Sequence, residues 1–159
     1  MAISLGEFAK LLNDAARANE AEGEGVLKAC KLVQKTAKCY IGSYDHPGSW
    51  AQLAQATQED RVRRGFAANE PLLRTGELRD SIEVDAPHKS GMETYGFIFS
   101  SSEVARYMEL GTTRAPPRPF LSTATMECMP KIRTILGASF VKARFGAWGA
   151  FLDLPDGGE

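Results

Sequence analysis

The spacing of apolar and polar positions divides the chain into helical and extended segments. Phe8, Leu11, Leu12, Ala15 and Ala16 recur at intervals of three and four, marking one helical face, and Ser4 and Glu7 ahead of them have capping-box spacing. Gly23 and Gly25 interrupt this pattern, which resumes at Val26, Leu27, Cys30, Val33, Ala37 and Ile41. Two helices are predicted, or one long helix with a glycine break near residue 24. Residues 45–48 read as a turn. A polar helix then begins around Trp50, Leu53, Ala54 and Thr57 and fades at Arg61, Val62, Arg63 and Arg64. Thr75 suits the N-cap of a short helix through Leu78 and Arg79.

The period then changes. Residues 81–85 alternate apolar and polar side chains as a half-buried strand does, and residues 94–100 form the most β-prone run of the chain, with Tyr95, Phe97, Ile98 and Phe99. The turn-forming residues 87–91 between them predict an antiparallel hairpin. Residues 103–111 return to a helical pattern. Beyond a proline-rich loop, Leu121, Thr125, Cys128, Ile132, Ile135, Leu136 and Phe140 mark a long helix. Pro130 lies inside it. An interior proline costs about 3 kcal/mol, which predicts a kink or a restart near residue 129. The expected fold class is α+β, with a small antiparallel β-sheet packed against the N-terminal helix and the long C-terminal helix. Residues 1–145 are expected to form one domain, followed by an aromatic and acidic tail at residues 146–159.

Composition narrows the function classes. A chain of 159 residues, 43% hydrophobic and 25% charged, has enough apolar material for a core. A net charge of −1 supplies no basic field for wrapping a nucleic acid. No apolar run reaches membrane-span length and no basic-then-apolar leader opens the chain, so a soluble protein without membrane contact is expected. Cys30, Cys39 and Cys128 are odd in number and not closely spaced, the usage of a reduced cytosolic protein rather than of a metal cluster. His46 and His88 each stand without a partner in local sequence. No Ser/His/Asp grouping, phosphate-binding glycine loop or His-x-x-x-His pair is present. Asp80, Glu83 and Asp85 have the chemistry for a divalent ion, but acids alternating along a strand more commonly face solvent. No enzymatic activity, cofactor or metal is expected.

The most distinctive stretch is residues 107–124. Tyr107, Met108, Glu109 and Leu110 end at Gly111, and a loop with Arg114 and Arg118 among Pro116, Pro117 and Pro119 leads to Phe120 and Leu121. This Glu-Leu-Gly-Thr-Thr-Arg run followed by Pro-Pro-Arg-Pro-Phe-Leu resembles the signature of small neck proteins of tailed bacteriophages. These are the head–tail joining and tail-completion proteins, with a sister family of Mu-like virion-morphogenesis proteins. A second matching stretch, residues 72–82, precedes it in the right order, and the similarity covers roughly residues 50–140. The resemblance implies a structural virion protein that joins or completes the tail as one subunit of a six-fold homo-oligomeric ring. Its neighbours would be neck, connector and tail-tube proteins. The protein would be made in the bacterial host cytoplasm and incorporated at the virion neck. The alternatives are a tail terminator capping the tube and a DNA-contacting neck protein.

These expectations assign roles to particular residues. Pro117 and Pro119 restrict Arg118 on both sides, so its guanidinium fork is presented to a carboxylate with little backbone freedom left to lose. Glu109, in the same or a neighbouring subunit, is the candidate carboxylate, while Phe120 anchors the following helix in the core. Glu109, Gly111, Arg114 and Arg118, with Trp148 and Phe151 of the tail, form the expected subunit interface. Arg61, Arg63 and Arg64 are the candidates for facing passing DNA, with Glu59, Asp60 or a neighbouring subunit as their alternative partners. Lys28, Lys31, Lys35 and Lys38 read as a solvated helix face. Pro116–Pro119 also fits a PxxP pattern, but a structural loop that orients Arg118 and Phe120 is preferred. The tail aromatics suit either the domain's own core or a neighbour.

Overall fold

The computed structural model describes residues 5–91, 93–113 and 115–145. Its elements run α1 (Leu5–Tyr40), α2 (Gln55–Arg63), α3 (Glu77–Asp80), β1 (Ile82–Ser90), β2 (Glu93–Ser100), α4 (Glu103–Leu110) and α5 (Leu121–Phe145). The fold is α+β, with β1 and β2 forming a two-stranded antiparallel sheet. Ser4, Arg114 and the 146–159 tail with Trp148 and Phe151 lie outside the described residues, as do the side chains of Phe8, Leu11, Leu12, Ala15 and Ala16.

Packing divides the chain into two compact units. One comprises residues 1–30, 85–97 and 130–159, and the other residues 31–84 and 98–129. In the first unit α1 passes its glycines without a break. Both glycines are contact points. A Cβ on Gly25 would overlap the side chain of Ser139 on α5, and one on Gly23 would come within 3.1 Å of Pro87 on β1. Gly96 of β2 faces Val26 and Cys30 of α1, where a Cβ would stand 3.1 and 3.0 Å from their side chains. The missing side chains thus allow the hairpin and α5 to close on α1.

The second unit holds the larger part of the buried apolar set. Val33, Ala37, Tyr40 and Ile41 of α1, Ile82 of β1, and Ala124 and Cys128 of α5 are all buried there, together with Trp50, Leu78 and Phe120. The Gln34 amide donates to the Ile82 carbonyl at 2.7 Å, and the Thr36 hydroxyl and Cys128 sulfur lie 3.2 Å apart. Tyr40 donates its hydroxyl to the Glu127 carboxylate. Burial first, and then this carboxylate, push the Tyr40 phenol well above its usual range.

Three details of the sequence reading are corrected. Pro87 belongs to β1 rather than to the turn. In a two-stranded sheet each strand has an edge, so a residue without an N–H can be accommodated. The helix α5 runs through Pro130 with no restart. Its buried line is Phe120, Ala124 and Cys128, at four-residue intervals just before and along its first turns, whereas Leu136 and Phe140 are exposed.

Candidate functional site

The loop between α4 and α5 is fixed at both ends by residues of the distinctive stretch. Glu109, in the last turn of α4, aims its carboxylate at the start of α5. One oxygen accepts from the backbone N–H groups of Phe120 and Leu121 at 2.9 and 3.2 Å, and the other accepts from the N–H of Ser122 at 2.9 Å. The first turn of a helix leaves N–H groups without intrahelical partners and carries the positive end of the helix dipole. Glu109 therefore caps α5 from the preceding helix. α5 has no acidic residue of its own in its first turn.

Gly111 ends α4 at φ +77°, where a Cβ would stand 2.9 Å from the backbone nitrogen of Pro117. That position requires glycine on both conformational and steric grounds. Arg118 donates its backbone N–H to the Met108 carbonyl at 2.6 Å, and Phe120 is completely buried. The loop thus returns on α4 before α5 begins.

Arg118 does not pair with Glu109. Its side chain is only 8% exposed, and Nη2 donates to the Ala51 carbonyl at 2.8 Å. The prolines fix its backbone, and the fold turns the side chain inward, onto the segment ahead of α2. Arg61 differs from the sequence reading in the same way. It is buried, and its guanidinium donates to the carbonyls of Glu70 at 2.5 Å and of Leu73, holding the loop before α3. Of the three candidate DNA-facing arginines, Arg63 and Arg64 are exposed, and Arg64 pairs with Asp60 at 3.0 Å. Of the four lysines read as a solvated face, Lys28, Lys31 and Lys35 are exposed and Lys38 is half-buried.

Between α2, the 72–78 segment and α4 lies a groove of about 680 Å³. Leu53, Leu72, Leu78, Val104, Met108 and Pro116 supply apolar walls, while Arg61 and Arg118 belong to the same lining. Sequence reading missed this groove because its walls come from separate segments with no shared motif.

A second cluster surrounds His46. Its ring centroid lies 3.9 Å from that of Trp50 and 4.9 Å from that of Tyr40, and its Nδ1 accepts the Gly48 N–H at 3.0 Å. Burial lowers its pKa, opposed by the nearby Asp45 and Glu127 carboxylates. His46 and Trp50 thus pack ring against ring at a tilt of 59° at the edge of the core. Among the described residues no group of three His, Cys, Asp or Glu side chains is placed to hold a metal ion. Nor, among these residues, is any helix long and apolar enough to cross a membrane.

Comparison of the chain with protein-family models, curated proteins and solved structures returns no match.

Proposed function

We propose that this protein is a structural subunit of a phage neck, acting stoichiometrically in a homo-oligomeric ring that joins or completes the tail. The observation that carries the reading is the apolar surface left open on two elements of the chain. Tyr95, Phe97 and Phe99 follow one another on the outward face of β2 at 38, 54 and 42% exposure. On α4, Val104, Tyr107 and Leu110 lie on one outward stripe at 48, 50 and 71%. Ranks of large apolar side chains open to water are characteristic of surfaces that another protein covers. The α4 stripe runs directly into the Gly111 loop, whose sequence carries the resemblance to neck proteins. The inward course of Arg61 removes one of the three arginines on which a DNA-contacting role would rest, favouring protein contacts over nucleic-acid contacts.

The test is to locate the chain in particles. A gold-labelled antibody against it should mark the head–tail junction of virions in electron micrographs, and the purified chain should sediment as a ring or join one on addition of particle necks. Label at the tail tip or inside the capsid, or its absence from particles, would overturn the proposal.

A further inference from the structure

We infer that the groove between α2 and α4 is a receptor for the acidic–apolar tail of a second copy of this chain, with tail residues 151–156 as the docking segment. Arg61 and Arg118, which both contribute to the groove lining, are more than nine-tenths buried. Neither forms an ion pair with a carboxylate among the described residues. Each also retains a buried nitrogen without a hydrogen-bond partner among the described residues, Nε of Arg61 and Nη1 of Arg118. The carbonyls that they do reach are dipoles, which orient a guanidinium without neutralising it. A buried cation in this state favours an anion brought close to it, because the surrounding medium screens poorly. Among the described residues of the lining Asp60 is the one acid, and it already lies 3.0 Å from Arg64 and 3.9 Å from Arg74. The groove is therefore apolar with an uncompensated positive lining.

The sequence of the chain contains a segment of the complementary kind. Phe151, Leu152 and Leu154 alternate with Asp153 and, past Pro155, Asp156, and residues 146–159 contain no Lys or Arg. Apolar side chains suit the Leu53, Leu72 and Met108 walls, and the aspartates suit the two arginines. Val104 belongs to both the groove and the exposed α4 stripe, so the groove is continuous with the surface proposed to meet a neighbour. The inference rests on the ring reading for the presence of a second copy and adds which segment crosses between subunits.

The receptor in the test is the full chain carrying Asp153→Lys and Asp156→Lys, so that its own tail does not compete. The probe is a fluorescein-labelled peptide of residues 146–159, followed by anisotropy. Saturable binding is expected, weakened at least about tenfold by Asp153→Asn/Asp156→Asn in the peptide and by Val104→Glu in the receptor. Val104 is half exposed, so its substitution should leave the melting temperature nearly unchanged. Mixing full chains that carry Val104→Glu with full chains that carry the tail lysines should form pairs that neither forms alone. Absence of saturable binding, or binding indifferent to both changes, would overturn the inference. Failure of the mixed chains to pair would overturn it too. A chain found at the virion neck whose groove ignores the peptide would sink the docking and leave the ring reading standing. Peptide binding by a chain absent from the neck would do the reverse.

Discussion

Glu109 closes one helix and caps the next, and its replacement should show how much of the fold depends on that connection. Glu109→Ala removes an acceptor from the N–H groups of Phe120, Leu121 and Ser122. A lost helix cap with a charged acceptor costs about 2 kcal/mol, and Glu109→Gln should lose less because the amide oxygen still accepts. Urea unfolding of the three proteins checks this order; equal stability would mean that the cap contributes nothing. His46 gives the chain a pH dependence of definite sign. Burial holds its folded pKa below the ordinary value of 6.5, so the unfolded chain takes up the proton first on acidification. Its contribution to stability is complete above 6.5 and is lost as the pH falls through the folded pKa. The melting temperature should drop between about pH 7 and about pH 5, and His46→Gln should reduce that drop. A drop unchanged by the substitution would assign it to carboxylates instead. Glu109 and Arg118 differ in how readable they were. Glu109 stood out as an acid before Gly111 and was read as a partner for Arg118, whereas within the chain it accepts from the first turn of α5. For Arg118, the prolines fixed the backbone and left the direction of the side chain open, and the fold directs it inward to Ala51.

The helices and the hairpin were legible because their signals are local, a period of three to four for the one and of two for the other. Contacts between elements were not. Gly23 and Gly25 look like helix breakers when only neighbours in sequence are considered, yet α1 is continuous and uses them as gaps for Pro87 and Ser139. Their reason lies on other elements. Gly25→Ala makes the point measurable. The helix itself would gain up to about 1 kcal/mol from alanine, whereas overlap of the new Cβ with Ser139 costs about 1–3 kcal/mol. A net loss of stability is expected, recovered in the double variant Gly25→Ala/Ser139→Gly. A more stable single variant would mean that α5 yields freely. The buried line of α5 was misread for a related reason. Ile132, Ile135, Leu136 and Phe140 are spaced for a core face, but burial concentrates at Phe120, Ala124 and Cys128, where the second unit packs around the start of the helix.

At the scale of the whole molecule, two packing units share α1, the hairpin and α5, and the residues closest to a function lie in the second of them. The groove belongs wholly to that unit, and so does the junction of α4 with α5. This junction has one more consequence. Between Gly111 and Arg118 the chain makes a detour whose ends are already joined without it, by the Arg118 N–H on the Met108 carbonyl at 2.6 Å and by Glu109 on the first turn of α5. Covalent continuity through the detour is not what holds the two helices together. A peptide spliced in there would leave these two clasps in place, so the scaffold beneath should bear it at little more than the entropy of closing a longer loop.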